Sequence, residues 1–197
     1  MIYTFDTEFL ANGETIELIS IGLVNYETKE QLYLVSKDFN FAKACQDKWI
    51  YEHVIKNLNS NESFSKEIIK EKILTFLNND PNPKFYLYCG SYDWVVFAQI
   101  FGDMVNFPKQ FPYWFFEIKQ DLYRFGFKKD QLPKQTSIEH NALNDALHNV
   151  ILMDLYFPKL SNELLVEGFV KNDPITKQEK PVVLRPKFDV FRHTRDA

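Results

Sequence analysis

The first third of the chain alternates short apolar blocks with polar turns. Residues 2–5 are apolar apart from one threonine and stop directly at Asp6, so they read as a strand that delivers an acid to its carboxyl end. Ala11-Asn12-Gly13 is a turn signal. Residues 15–25 hold Ile16, Leu18, Ile19, Ile21, Leu23 and Val24 and form a second strand, which the short gap pairs with the first as a hairpin. Residues 31–36, with Leu32, Leu34 and Val35, make a third strand. Three successive antiparallel strands are a meander.

The period then changes. Residues 42–59 are mixed, with Trp49, Ile50, Val54, Ile55 and Leu58. Over residues 65–78, Ile68, Ile69, Ile73, Leu74 and Leu77 recur at helical spacing, and Ser63 or Ser65 can cap that helix. Asp80-Pro81-Asn82-Pro83 breaks it. Residues 84–89 form a strand, Gly90-Ser91 a turn and residues 92–101 a helix. Residues 114–118 give a further strand, followed by a helical segment through Phe125. Residues 142–156 form a long helix. A meander followed by alternating helices and strands predicts an α/β fold: a mixed sheet with helices on its faces. The pattern decays from Ser161, so the expected domain spans 1–160, with a C-terminal extension or arm at 161–197. Lys177, Lys180, Arg185, Lys187, Arg192 and Arg195 make that arm either a contact for a nucleic-acid backbone or second subunit, or a solvated extension.

Composition narrows the function classes. At 197 residues, 45% hydrophobic and 16% aromatic, the chain is globular and long enough to bury a core unaided. A net charge of −4 argues against a general nucleic-acid coat, which would be basic. It does not argue against phosphate chemistry, because bound divalent cations supply local positive charge. Cys45 and Cys89 cannot form a zinc cluster alone. The start shows no signal-peptide pattern and no stretch approaches a membrane span, so the expectation is a soluble cytoplasmic protein in a reducing compartment.

Three short segments carry chemistry. Asp6 and Glu8 lie two residues apart on a strand and so share a face, where two acids repel unless a cation lies between them. Mg²⁺, which takes hard oxygen ligands, is the natural cation. Asp93 stands where a strand ends, the chain turns and a helix begins; a single Asp there is most often a cap or first-turn residue. In Glu139-His140-Asn141-Ala142-Leu143-Asn144-Asp145-Ala146, Asp145 is read as more than a turn inside the helix and inward-directed, and an inward Asp needs a partner. His140 at the helix entrance can reach the same site. His53, His148 and His193 lack such a context and read as structural or surface residues.

Together these segments resemble the DEDD exonuclease superfamily in its histidine-bearing (DEDDh) branch. Phe5-Asp6-Thr7-Glu8-Phe9 matches the first motif, Tyr92-Asp93 the second and His140 to Ala146 the third, over roughly residues 2–156. Asp6-Thr7-Glu8-Phe9 with Ile16-Glu17-Leu18-Ile19-Ser20-Ile21-Gly22, Tyr92-Asp93-Trp94 and Glu139-His140-Asn141-Ala142-Leu143 is similar to the bacterial adenylate-specific 3′-to-5′ exoribonucleases.

The resemblance implies a ribonuclease-H-like mixed sheet and a metal-dependent 3′-to-5′ exonuclease. Its partner would be a single-stranded RNA 3′ end, with adenylate ends preferred, and the chain would form a homodimer. It implies two Mg²⁺ ions per site, with Mn²⁺ as a substitute. Asp6 would bridge both metals, Glu8 and Asp145 would complete one site, and Asp93 would support the other. His140 would be the general base, for which an imidazole's ordinary pKa of about 6.5 is suited. Phe9 would pack on the terminal base, Thr7 would offer its backbone N–H to the terminal ribose, and Trp94 or Tyr92 would stack on a base or pack in the core. Two alternatives stay open: a 3′-to-5′ DNA exonuclease of proofreading or repair type, and a non-catalytic nucleic-acid-binding module.

Overall fold

A computed structural model describes residues 1–103 and 105–166. The basic arm residues and His193 lie outside the described residues. The sheet has five strands in the order β3-β2-β1-β4-β5. They are β1 (Ile2–Ala11), β2 (Ile16–Asn25), β3 (Gln31–Val35), β4 (Lys84–Leu87) and β5 (Phe116–Glu117). The meander β1-β2-β3 is antiparallel, while β4 runs parallel to both β1 and β5. The helices are α1 (Phe41–Gln46), α2 (Lys48–His53), α3 (Lys66–Phe76), α4 (Ser91–Phe101), α5 (Ile118–Arg124) and α6 (Ala142–Val166). Two single 3-10 turns cover Ile55–Asn57 and Lys129–Gln131. Among the described residues, no helix is long and apolar enough to cross a membrane.

The alternation of a strand sorts β1 between two layers. Tyr3 and Phe5 pack with Ile21, Leu23, Phe85 and Leu87 against Ile69 and Ile73 of α3 and Phe97 and Ile100 of α4. On the other face, Tyr86 joins Ile118 and Leu122 of α5 and Leu152, Met153 and Tyr156 of α6. Thr4, Asp6 and Glu8 therefore share the face covered by α6.

The first strand is longer than the sequence suggests. It does not stop at Asp6, because pairing with β2 continues through Ala11, with a bulge between Glu8 and Phe9. What does stop is the neighbour on the other side. β4 pairs with β1 only from Ile2 to Thr4, so beyond that point one edge of β1 is open. The acids thus stand mid-strand but at a sheet edge, next to a bulge of the kind that re-aims side chains.

Three other boundaries differ. The strand expected at 114–118 reduces to Phe116–Glu117, because the Glu117 carboxylate accepts the Lys119 N–H at 3.0 Å and starts α5. The helix expected to end at 156 continues through Pro158 to Val166. Asp145 lies in the first turn of α6, not beyond it.

Gly22 fixes how closely α6 approaches. It pairs with Asp6 across β1 and β2. A Cβ added there would lie 2.4 Å from the backbone N and Cα of Leu143. Only a residue without a side chain lets the start of α6 rest on the sheet beside Asp6.

Candidate active site

Asp6, Glu8, Asp93, His140 and Asp145 all line one open pocket of about 450 Å³ at the free edge of β1. Each arrives by a different local device. Asp6 and Glu8 are placed by strand alternation. Asp93 sits in the first turn of α4 and is buried, and it reaches β1 because β4 ends at Leu87 and leaves room. Thr7 binds it twice, donating its backbone N–H at 2.8 Å and its hydroxyl at 2.6 Å to Asp93 Oδ1. The turn before α4 is held from β5, where Glu117 accepts the N–H groups of Cys89 at 2.8 Å and Gly90 at 3.0 Å. Cys89 itself is left-handed at φ 54°.

The third segment is built around Asn141 and Asp145. Asn141 Oδ1 accepts the Asn144 N–H at 3.2 Å, closing the first turn of α6. Asp145 takes the His140 N–H on Oδ2 at 3.0 Å and the Gln135 side-chain amide on Oδ1 at 2.5 Å. The first contact requires the left-handed backbone of His140, at φ 58°. Such strain in a non-glycine residue persists only where its surroundings hold it. One ligand atom each from Glu8, His140 and Asp145 lie within 4.8 Å of one another.

The electrostatics mark the site. Burial, then Asp93, Glu8 and Asp145, push the Asp6 carboxyl well above the usual range. Burial, then Asp145 and Asp93, push Glu8 up to about 8. Burial raises Asp93 against the lowering effect of the Thr7 hydrogen bonds. It also raises Asp145 against the lowering effect of Gln135. Among the described residues, no lysine or arginine lines the pocket. Mutually repelling carboxylates with hard oxygen donors, and an imidazole beside two of them, fit a divalent cation. Glu8, His140 and Asp145 could hold such an ion.

Of the proposed substrate contacts, Phe9 lines the pocket. It stacks on the exposed Tyr92 with ring centroids 5.6 Å apart and planes 13° apart. Thr7 also lines the pocket, but its N–H is given to Asp93 and so is not presented to a ribose here. Trp94 is not brought to the site. It lies a further 100° round α4 from Asp93 and packs into the aromatic core, against Phe5, Phe85 and Phe97.

The structure adds residues that the sequence left aside. Trp49, Ile50, Tyr88, Cys89, Gln135, His148 and Asn149 line the same pocket. His148 was legible in principle, since it stands three residues after Asp145 on the same helical face. Trp49 and Gln135 were not, because they arrive from the α1–α2 arm and from a loop, both without periodicity.

The pocket's residues belong to a stretch of chain with known relatives. The family described as the 3'-5' exoribonuclease Rv2179c-like domain matches residues 1–157. The 3'-5' exoribonuclease Rv2179c of Mycobacterium tuberculosis strain H37Rv is 34% identical over 151 residues, covering 74% of this chain and 87% of the relative. The 3'-5' exoribonuclease MT2234.1 of strain CDC 1551 matches to the same extent. Among solved structures, the RNase domain of the yeast Pop2 protein superposes with a TM-score of 0.53 at 14% identity, covering 78% of this chain and 77% of that one. That likeness concerns the fold alone, which is ribonuclease-H-like. Matched over most of its length, and with the acids of all three segments gathered in one pocket, the chain belongs to the Rv2179c-like family of 3'-5' exoribonuclease domains.

Proposed function

We propose that the protein is a divalent-metal-dependent exonuclease that hydrolyses phosphodiester bonds from the 3′ end of single-stranded RNA. The observation that carries this reading is the convergence of Asp6, Glu8, Asp93, Asp145 and His140 on one pocket that no lysine or arginine among the described residues lines. Binding alone gains nothing from clustered carboxylates that repel phosphate. This counts against the non-catalytic module.

Asp6, Glu8 and Asp145 would hold one cation, and Asp6 with Asp93 a second, Mg²⁺ with Mn²⁺ as substitute. Bound there, the cations supply charge neutralisation at the phosphate and lower the pKa of water. The chain's own residues do the rest. His140, beside Glu8 and Asp145, takes the proton of the attacking water on its ring nitrogen. The Asp145 carboxylate is held at both oxygens, so its plane is fixed before substrate arrives. Phe9, backed by Tyr92, offers an apolar face to the terminal base. The similarity of the three motifs to the histidine-bearing branch, and to its adenylate-specific members, supports adenylate ends and a homodimer as part of the same reading.

The test is to incubate the protein with 5′-labelled RNA and DNA homopolymers in Mg²⁺, Mn²⁺ or chelator. The expected result is a ladder shortening from the 3′ end of RNA, fastest on oligoadenylate and absent in chelator. Preference for DNA would move the assignment to the proofreading type, and internal cuts or a ladder in chelator would overturn it.

A further inference from the structure

The imidazole of His140 must be aimed, yet among the described residues no hydrogen bond to its ring is made by another side chain. Among the described residues, the rings packed near it are those of Trp49 and His53. Trp49 meets it edge to face, with centroids 4.8 Å apart and planes at 70°. His53 stacks on Trp49 at 4.9 Å and 15°, and its own ring lies 5.9 Å from that of His140. His53 Nδ1 lies 3.0 Å from the Trp49 carbonyl oxygen, one helical turn back.

This pair sits on α2, a short helix with a firm start. Asp47 accepts the N–H groups of Trp49 at 2.9 Å and Ile50 at 3.0 Å. The arm is also tied to the His140 loop by the backbone. Asn141, buried and next to His140, donates its side-chain amide to the Asn57 carbonyl at 2.9 Å, just beyond α2. Two independent links therefore join the arm to the segment that carries His140. Trp49 is 49% exposed, more than a purely structural core tryptophan would be.

We propose that Trp49 is a positioning residue for His140: its edge-on contact, backed by His53, holds the imidazole over Glu8 and Asp145. The inference rests on His140 being the general base of the hydrolysis. Since the His140 backbone is left-handed and its ring has no polar tether among the described residues, packing by Trp49 selects the working rotamer. His53 keeps the Trp49 ring from turning away.

A double-mutant cycle tests this. Trp49→Ala, His140→Ala and the double variant are assayed in single turnover on 5′-labelled oligoadenylate with Mg²⁺, beside Trp49→Phe. The expected result is that Trp49→Ala lowers the chemical rate about tenfold with little change in KM, and that Trp49→Phe restores most of it. In the His140→Ala background, adding Trp49→Ala should change the rate less than twofold, since residues that act through one another are non-additive. The same fold loss in both backgrounds, or a change confined to KM, would overturn the positioning role. The latter would mark Trp49 as a base contact instead. Full activity of His140→Ala would show that the base assignment itself fails, and the proposal with it. Thermal melts of each variant confirm that the compared proteins are folded.

Discussion

Thr7 gives both its backbone N–H and its hydroxyl to a single oxygen of Asp93, at 2.8 and 2.6 Å. Both residues are buried, and they come from different layers of the fold. Asp93 also lines the pocket. The pairing offsets part of the burial that raises the Asp93 carboxyl. Thr7→Val keeps the shape and removes one donor to a buried carboxylate, a loss of about 1.5–3 kcal/mol for a charged hydrogen bond. Calorimetric titration with Mg²⁺ should show affinity reduced by about 10–100-fold, as for other outer partners of metal ligands. Thr7→Ser should stay near the wild type, and unchanged Mg²⁺ affinity of Thr7→Val would show that the pair is only structural.

The crowding of acids sets a pH dependence with a definite sign. Glu8 is raised from 4.5 to about 8, and Asp6, Asp93 and Asp145 are raised as well. The folded protein thus holds protons that the unfolded chain releases at lower pH. The stability this contributes is fully present below about pH 4.5 and is lost as pH rises through about 8. In chelator, the melting temperature should fall between about pH 5 and pH 8, by several degrees at a scale of roughly 2–4 °C per kcal/mol. Glu8→Gln should flatten the fall. Mg²⁺ should reverse it, because a cation binds the ionised form. A melting temperature in chelator that is flat over this range and unaffected by Glu8→Gln would contradict the crowding.

Gly22 carries α6 at the right height. Its missing Cβ would meet the Leu143 backbone at 2.4 Å, a contact that backbone cannot yield cheaply. Gly22→Ala should cost about 1–3 kcal/mol by overpacking. It should also slow hydrolysis, since the start of α6 bears Asp145. Urea unfolding and turnover read the two effects, and wild-type stability would show that the helix can lift without cost.

Trp94 supplies the opposite test. It packs on Phe5, Phe85 and Phe97 rather than facing the pocket. Trp94→Leu should lower the melting temperature and leave KM for RNA unchanged. A raised KM with unchanged stability would return Trp94 to the substrate.

The meander was legible because its strands are continuous apolar runs punctuated by Asn12-Gly13. The acids and His140 stood out because their types and spacings match the three motifs of the resembled family, and the structure brings all five to one pocket. Less legible was whatever depends on a neighbour. The pairing of β1 with β2 was expected, but its extent past Asp6 to Ala11, across a bulge, cannot be read from residues 2–5. Strand β5 ends where Glu117 caps α5, and the same carboxylate holds the Cys89 and Gly90 amides, residues 27 or more away in sequence. Helix α6 passes Pro158, where the sequence alone suggests an end. Trp49 joins the pocket only through the placement of the short helix α2, which carries no periodic apolar pattern.

In the proposed function, these carboxylates hold a divalent cation for RNA hydrolysis from the 3′ end. Asp145→Asn tests it most directly, since the amide keeps the shape of the side chain and removes its charge. Turnover of 5′-labelled RNA in Mg²⁺ is measured beside wild type, with circular dichroism and a thermal melt to confirm the fold. The variant should be folded and its hydrolysis abolished. Undiminished turnover by folded Asp145→Asn would contradict the metal site and the function built on it.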